Sequence, residues 1–373
     1  MIQRGIATFS LDYGRCPRWL FERMKKLSFR IISKIVVNYG PDEFIKRIGD
    51  PVWFQSLGSA LAFDWNSSGL TTTLTAALKE AIRGQERNLG IYICGGKGKT
   101  SRKTPQEIIS LAERGHIESE KAEVLVYNSK MAAKVDSSLI QDGYQIYHHC
   151  FFISRNGKWA VVQQGMNTSS QTARRYHWYS DSLKFQNPSG SSSFVLEPHI
   201  GISTQKREKV VLNLTSQQSL ENQKISVSLL NNSFNSLLKD LKILNKYQSD
   251  LLKTLKIKTS SQQLTLLSLE DKEFHYHNVL REDFLKNKYL LKIFYQLTEF
   301  KPQSYEDLIY FQGVGPKTIR ALSLIAELIY GAKPSYEDPA RYSFAFGGKD
   351  GTPYFVDRKT YDQVLSLFEK NSK

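Results

Sequence analysis

The chain has 373 residues, of which 40% are hydrophobic and 12% aromatic, and this composition excludes an intrinsically disordered protein. The length favours two or three domains. Lysine and arginine number 51 against 36 acidic residues, so the formal net charge is +15 at pH 7. Such a basic excess favours a polyanionic partner, and nucleic acid fits better than a membrane surface.

The sequence carries no sign of secretion or of membrane insertion. No apolar run approaches the ~18 residues that span a bilayer, and the N-terminal residues lack the apolar core of a signal peptide. The three cysteines, Cys16, Cys94 and Cys150, are scattered and have no zinc-ligand spacing. This odd number argues against a disulfide framework, and we expect a cytoplasmic protein with no membrane partner.

The first part of the chain predicts a series of helices. Pro17 opens an amphipathic helix that Gly40 ends, and the next two segments each begin at a proline. Residues 64–69 predict a polar turn before a further helix, and residues 85–88 predict a surface loop.

Residues 89–94 are a short apolar run bounded by glycine, which predicts a buried strand. A glycine- and lysine-rich loop over 95–105 and a helix follow, an order typical of a phosphate cradle. Because Ile93 occupies the place of the first glycine of a Walker A motif, we do not expect a nucleotide-binding loop of that type. We expect four basic side chains of the loop to contact the DNA backbone, with a solvated loop as the alternative: Lys97, Lys99, Arg102 and Lys103.

Residues 143–164 predict a β-hairpin, since two apolar runs flank Asn156 and Gly157, the favoured pair for a two-residue turn. Such a turn would place His149 opposite Gln164. Both faces of the two strands are largely apolar, so we expect the sheet to be covered on both sides.

Polar residues in or beside this predicted sheet suggest a catalytic site. Magnesium binds one or two carboxylates together with phosphate oxygens, and histidine can serve as a ligand or a general base. We therefore predict Mg²⁺ or Mn²⁺ held by Asp136, His149 and His199. The wider catalytic set adds His148, Asp142 and Gln164. No D/E-x-K nuclease signature is present, and buried structural histidines are the alternative.

Residues 174–178 interleave basic and aromatic side chains. Arginine on phosphate and an aromatic ring on a base is the usual chemistry of single-strand binding. We therefore expect Arg174 and Arg175 to contact DNA, with a strand that has one solvated edge as the alternative.

The composition becomes polar over residues 204–221, and we place a domain boundary there. The predicted fold class is α+β. Residues 1–205 would form a mixed domain with a small antiparallel sheet and a catalytic cleft. Residues 206–373, which contain leucine- and lysine-rich helical segments, would form an all-α DNA-binding domain.

The most informative stretch begins at Ser304, which with Asp307 matches the capping box of a short helix. Gly313 and Gly315 then predict a turn that a residue with a Cβ would resist. Pro316 fits the first position of a second helix, where its missing N–H costs nothing.

This pattern resembles a helix-hairpin-helix motif through Gly313, Val314, Gly315, Lys317 and Ala321. The resemblance implies that glycine N–H groups and a helix N-terminus bind a phosphate, whose charge a lysine neutralises. Such a contact ignores base identity. The implied DNA-binding residues are Gly313, Val314, Gly315, Lys317, Thr318 and Arg320.

The same domain resembles the endonuclease-III-like DNA glycosylases. In that family a lysine at the position of Lys317 attacks the sugar as a Schiff-base nucleophile, and an aspartate that starts a later helix assists. Asp357 matches this aspartate, although the 42 positions from Gly315 are about twice the family's spacing. Since no four-cysteine cluster follows, we expect no iron–sulfur cluster.

Nearly the whole chain resembles an uncharacterised prokaryotic family known in archaea and some thermophilic bacteria, a domain of unknown function. The stretches that carry the resemblance include GGKGKTSRKTP, YHHCFF, WAVVQQGMN, ARRYHW and GVGPKTIRAL. Asp12 and Asn66 stand where histidines are expected, which implies that part of a metal site would be lost or relocated. The resemblance implies no activity, so function depends on the site.

These patterns predict a DNA-maintenance or repair enzyme that cuts structured or damaged DNA, with metal-dependent hydrolysis as the first hypothesis. A glycosylase or lyase that acts through Lys317 and Asp357 is the second, and a DNA-binding protein without chemistry is the third. DNA is the expected partner, with other repair proteins as further candidates.

Overall fold

A five-stranded antiparallel sheet is packed between two hydrophobic clusters, one on each face. The computed structural model describes residues 16–62, 67–183, 193–204, 206–257, 283–342 and 358–370. The fold is mixed α/β with a small antiparallel sheet, in agreement with the predicted class.

Helices form most of the described chain before the sheet, as the sequence predicts. They are α1 (Arg18–Tyr39), α2 (Pro41–Gly49), α3 (Pro51–Ala60), α4 (Ser67–Ala81) and α5 (Glu86–Leu89). Proline occupies the first turn of α2 and α3, where it needs no hydrogen-bond partner. Two details of the prediction are wrong. Ser67 starts α4 inside the predicted polar turn, and the predicted loop at 85–88 forms most of α5, whose first turn holds Glu86 at the favourable end of the helix dipole.

The strands among the described residues lie between positions 91 and 213. In chain order the elements are β1 (Ile91–Lys97), α6 (Thr104–Glu113), α7 (Ser119–Ser138), β2 (Ile140–Gln141), β3 (Gln145–Ser154), β4 (Trp159–Asn167), β5 (Thr172–Tyr179), β6 (Gly201–Thr204) and β7 (Leu212–Asn213). The large sheet has the order β1-β3-β4-β5-β6, while β2 and β7 pair separately. Helix α7 was not predicted from the sequence; it packs against β3 and β4 and carries Asp136.

The register of the β3–β4 hairpin differs by one residue from the prediction. His149 pairs with Gln163, not with Gln164. The loop has three residues between Ser154 and Lys158, and Gly157 takes a left-handed conformation with φ of +89°. A third loop residue shifts the pairing by one position, and this moves every β4 side chain to the other face.

Both faces of the sheet are covered, as predicted. Cys150 and Phe152 of β3 pack with α1 to α4 on one face. Phe151 and Ile153 point to the opposite face and pack with α7 and with helices from the C-terminal part of the chain. The alternation follows from the period of two in a strand, and it sends His148 and His149 to different faces.

The C-terminal part of the chain adds α8 (Leu220–Asn231), α9 (Phe234–Ile257), α10 (Lys288–Phe300), α11 (Tyr305–Tyr310), α12 (Pro316–Leu328) and α13 (Arg358–Lys370). It is not entirely helical, because β7 lies within it and pairs with β2. One hydrophobic cluster contains Phe151 and Trp178 of the sheet together with Leu229 and Ile319 of these helices. The core therefore continues across residue 205, and the domain division there stays a prediction.

The last part of the described chain returns to the sheet and to α1. Backbone bridges join Ser335 to β7 and Tyr342 to β6. Tyr361 of α13 is 6% exposed and donates a hydrogen bond to a carbonyl at the end of α3. Arg23 of α1 forms a bidentate ion pair with Asp362 at 2.8 Å. The C-terminal helix thus packs on the N-terminal helices.

Candidate functional site

Residues 311–315, which we call the glycine turn, connect α11 to α12. The predicted capping box is confirmed, since Ser304 and Asp307 bond to each other's backbone N–H groups. Gly313 has φ of +91°, and a Cβ there would lie 2.4 Å from Ile293 Cδ1. Gly315 has extended backbone, and a Cβ there would meet no atom within 4 Å. The prediction that a Cβ would be resisted is therefore confirmed at Gly313 and wrong at Gly315, which faces open space.

The glycine turn is held from behind by α7 and the end of β2. The ammonium of Lys134 donates to the carbonyls of Ile309 at 2.8 Å and of Phe311 at 2.7 Å. These carbonyls end α11, so the lysine satisfies acceptors that the helix leaves open. Burial lowers the pKa of Lys134 to about 8. Gln141 donates to the Pro316 carbonyl at 2.9 Å and accepts from Arg320.

The predicted DNA-binding residues of this region divide by exposure. Lys317 is exposed at the start of α12. Val314 and Thr318 are 7% and 3% exposed, so their side chains pack inside the protein. Arg320 is half-buried and positions the turn through Gln141.

The glycine- and lysine-rich loop after β1 forms a 3₁₀ helix over Gly98–Lys103. Its four predicted basic residues are all exposed: Lys97, Lys99, Arg102 and Lys103. Gly95 anchors the start of the loop, because its φ is +84° and a Cβ there would lie 2.3 Å from the His149 carbonyl oxygen. Glu107 accepts from the Gly95 N–H and from Lys79 at 2.7 Å, so a carboxylate already occupies that N–H group.

Arg174 does not lie on the surface, and the expectation that it contacts DNA is corrected by its burial. Its side chain is 0% exposed and forms ion pairs with Asp142 at 2.9 Å and Asp338 at 2.7 Å. Tyr176 donates to Asp142 at 2.6 Å. Burial raises the pKa of Asp142 despite the neighbouring arginine. Asp142, predicted as catalytic, is thus engaged in a structural ion network.

Arg175 is buried on the opposite face, so it too is corrected as a surface contact. It is 2% exposed, and its Nε donates to His177 Nε2 at 2.8 Å. A further N–H donates to Gln55 at 3.0 Å, and the guanidinium lies 4.8 Å from the centre of the Phe54 ring. Burial lowers the pKa of Arg175 to about 9 and places the pKa of His177 well below its ordinary value.

A chain of hydrogen bonds joins α7 to the sheet through His149. Gln163 donates to Asp136 Oδ2 at 2.5 Å and to the Ala132 carbonyl at 3.1 Å, so its amide oxygen is the acceptor for His149 Nδ1 at 2.9 Å. His149 Nδ1 therefore carries the proton, and Nε2 accepts from the Ser129 hydroxyl at 2.9 Å. This is the order of a nucleophile, a base and an orienting group. With Ser129 2% and His149 4% exposed, however, the chain is a buried structural network.

The same network reaches a polar cavity through Asp136 and His199. Asp136 is fully buried and accepts from Trp178 Nε1 at 3.0 Å as well as from Gln163. Its other oxygen lies 2.5 Å from His199 Nε2. His199 also lines a cavity of about 450 Å³. A carboxylate that accepts from one ring nitrogen fixes the orientation of the ring, and in a neutral imidazole held this way the other nitrogen, Nδ1, is the proton acceptor.

His148 and Gln164 belong to the other face of the sheet. Thr75 donates its single hydroxyl proton to the Thr71 carbonyl at 2.9 Å, so it accepts from His148 Nε2 at 3.2 Å. Burial lowers the pKa of His148 to about 3. Gln164 donates to the Tyr147 hydroxyl at 2.8 Å. These two predicted catalytic residues do not meet His149 and Asp136 at one site.

The predicted metal ligands are only partly assembled. Asp136 contacts His199 directly, whereas Gln163 stands between Asp136 and His149. Within the part of the chain that the structure describes, no group of three or more His, Cys, Asp or Glu side chains is placed to hold a metal ion. All three cysteines are free. Asp12, Asn66 and Asp357 lie outside the described residues.

Three residues that organise these sites were not predicted from the sequence: Ser129, Gln163 and Lys134. The first two carry no local signal, because they meet only when α7 packs on the sheet. A half-buried lysine on an unpredicted helix is equally hard to find. The signal for α7 was its apolar spacing, with Leu125, Ala132 and Val135 on its buried side.

Fold and site together define a mixed α/β protein with an outward-facing glycine turn and a carboxylate–histidine pair beside a polar cavity. The chain belongs to the family described as "Protein of unknown function (DUF763)", whose model matches residues 5–356. A search of curated proteins and a search of solved structures each found no match to this chain. Among the described helices, none combines the length and the apolar character that crossing a membrane requires.

Proposed function

We propose that the protein binds the sugar–phosphate backbone of DNA at the glycine turn and the N-terminus of α12. The observation that carries this proposal is the open approach to Gly315, where an added Cβ would meet no atom within 4 Å. The first N–H groups of a helix have no partner inside the helix, and together with the helix dipole they attract an anion. A phosphate can approach them only where no side chain stands in the way.

Charge supports the same proposal. Lys317 is exposed one residue after Pro316, at the positive end of a helix of 13 residues. The net charge of +15 adds a long-range attraction for a polyanion. Contacts of this kind hold the backbone in register without reading the sequence.

The exposure of Lys317 favours a phosphate contact over Schiff-base chemistry. A nucleophilic lysine is activated by desolvation or by a neighbouring cation, and Lys317 lies in solvent. Lysine in solvent suits a contact with a phosphate oxygen. We therefore place the glycosylase or lyase hypothesis behind backbone binding.

We propose phosphodiester hydrolysis as a second function, because Asp136 holds His199 beside the polar cavity. His199 Nδ1 would take a proton from water, and the water oxygen would attack phosphorus. The bond from phosphorus to the leaving sugar oxygen would break, and that oxygen would recover a proton from His199. Arg207 and Arg341 line the same cavity and would contact the phosphate.

Metal dependence stays part of this second proposal. Glu197 and Glu337 line the cavity and are exposed. Mg²⁺ or Mn²⁺ usually binds one or two carboxylates together with phosphate oxygens of the substrate. These two glutamates, with the phosphate of a bound strand, would supply ligands of that kind.

The test of backbone binding compares Gly315→Ala with the wild type on a labelled blunt duplex. The added methyl group fits the extended backbone and open space at Gly315, so the free energy of unfolding should not change. Affinity should fall about tenfold, since the methyl group takes the place of a phosphate oxygen. Salt titration should show a steep loss of wild-type binding through counterion release. Lys46→Ala, which removes an exposed lysine from α2, is the charge control.

The first proposal would be contradicted if neither added salt nor Gly315→Ala changed the affinity for the duplex. The second is tested by strand scission on single-stranded, duplex, flap, branched and abasic DNA, with Mg²⁺ or Mn²⁺ and with EDTA. Loss of cutting in His199→Ala and in Asp136→Asn would support the hydrolytic site. A borohydride-trapped adduct that Lys317→Ala abolishes would instead support the lyase.

A further inference from the structure

The exposed face of α10 combines aromatic and basic side chains beside the glycine turn. Tyr289 and Tyr295 are 62% and 52% exposed. Lys288 and Lys292 are also exposed. Residues 288, 289, 292 and 295 lie on one side of a helix, because positions three and four apart are neighbours there. The opposite side is buried through Leu290, Ile293, Phe294 and Leu297.

Tyr289 lies directly next to the turn. A Cβ placed on Gly313 would be 3.0 Å from the Tyr289 hydroxyl and 2.4 Å from Ile293 Cδ1. Gly313 thus lets α10 approach closely enough for this exposed ring to border the phosphate contact proposed at Gly315. Tyr295, six residues further on, packs edge-on against Phe234 with ring centres 5.5 Å apart. Tyr289 is therefore the more available of the two rings.

We propose that this face of α10 binds unpaired nucleotides of a DNA strand whose adjoining duplex backbone is held at the glycine turn. The inference rests on the proposed DNA binding and names the substrate class: DNA with a junction between double and single strand. Lys288 and Lys292 would contact phosphates of the unpaired strand, and Tyr289 would stack on a base. Positive charge that tracks the backbone and aromatic rings that stack on bases are the usual components of single-strand recognition.

Charge and exposure favour this occupant over a protein partner. The exposed face carries no carboxylate from Lys288 to Gln296, and Glu299 is the first acidic residue of α10. From Lys288 to Gln296 the exposed side chains are basic, aromatic or amide, and Phe300 adds an exposed ring at the end of the helix. Such a face matches a strand of bases and phosphates. Basic and aromatic residues also interleave at 174–178, but that segment is buried in β5.

The test measures fluorescence anisotropy on two labelled DNAs with the same number of phosphates. One is a blunt duplex and the other is a shorter duplex with a single-stranded tail. The wild type should bind the tailed DNA more tightly. Tyr289→Ala should weaken binding of the tailed DNA about 5- to 150-fold, the range for loss of one stacked base, and should change blunt-duplex binding little.

Two variants serve as controls. Tyr289→Phe keeps the ring and should bind the tailed DNA as the wild type does. Tyr39→Ala removes another tyrosine, 64% exposed on α1, and should have no effect. A 2-aminopurine in the tail beside the junction should be quenched by the wild type and by Tyr289→Phe, but not by Tyr289→Ala.

The possible results distinguish failure of this inference from failure of the proposed backbone binding at the glycine turn. If the wild type binds neither DNA, or if Gly315→Ala does not affect blunt-duplex binding, the backbone contact is wrong and this inference is overturned with it. If duplex binding depends on Gly315 but Tyr289→Ala keeps the full preference for the tail, the inference about α10 alone is overturned. Equal wild-type affinity for both DNAs also overturns it.

Discussion

At the scale of single residues, buried neutral histidines couple the fold to pH. His177 accepts from Arg175 at Nε2, so its Nδ1 carries the proton and lies 3.3 Å from the Ile48 carbonyl. A second proton on His177 would face a guanidinium. Burial likewise lowers the pKa of His148, to about 3, and of His149.

We predict that the free energy of unfolding falls as the pH drops below about 6.5, the ordinary pKa of histidine. The unfolded chain binds protons there that the folded chain cannot, so acid favours unfolding. Each such histidine contributes up to about 1.4 kcal/mol per pH unit. Urea denaturation between pH 7 and pH 5.5 measures the slope.

His177→Gln keeps an acceptor for Arg175. It should reduce the dependence of the free energy of unfolding on pH by the contribution of one histidine, up to about 1.4 kcal/mol per pH unit. If the free energy of unfolding changes with pH in the same way for the wild type and His177→Gln, His177 does not cause the acid sensitivity.

At the scale of elements, α7 supports the glycine turn through Lys134. We predict that Lys134→Met, which keeps most of the alkyl stem, lowers the free energy of unfolding by about 1–3 kcal/mol, since partly buried carbonyls lose their donor. It should also weaken duplex binding several-fold, because the end of α11 is no longer fixed. Hydrogen exchange over residues 311–318 should become faster.

Lys121→Met on the same helix is the matched control, since Lys121 is exposed and pairs with nearby Glu118 at 2.9 Å. It should leave exchange in the turn unchanged. If Lys134→Met alters stability but neither exchange nor DNA affinity, the lysine supports the core and not the binding turn.

At the scale of the whole molecule, Arg174 ties the C-terminal segment to the sheet. Asp142 follows β2, Arg174 lies on β5, and Asp338 comes more than 160 positions later, yet all three side chains are at most 2% exposed. Asp338 also accepts from the Glu208 N–H at 2.7 Å. One buried network thus connects three separate parts of the chain.

We predict that Asp338→Ala lowers the free energy of unfolding by about 3–5 kcal/mol, because the buried guanidinium of Arg174 loses one of the two carboxylates that pair with it. Glu337→Ala, at the exposed neighbouring position, should stay within about 0.5 kcal/mol of the wild type. Urea denaturation of both variants measures the difference. Equal free energies of unfolding for the two variants would mean that the ion pair of Asp338 with Arg174 does not stabilise the fold.

Local sequence patterns were sufficient to predict the features that depend on neighbouring residues. The capping box at Ser304, the turn at Gly313 and the helix start at Pro316 follow from backbone preferences over a few positions. The β3–β4 hairpin and the covering of both its faces follow from two apolar runs around Gly157. These patterns need no knowledge of the rest of the chain.

Contacts between residues far apart in the chain could be found only in the folded protein. A three-residue loop shifted the hairpin register and paired His149 with Gln163. Arg174 resembles a surface contact in sequence, but Asp338, 164 positions away, makes its burial possible. Asp136 and His199 are 63 positions apart and meet only through packing of α7 on the sheet. Burying a charged side chain costs free energy unless an opposite charge pairs with it. The folded chain decides which charges meet, and no local sequence pattern specifies those pairs.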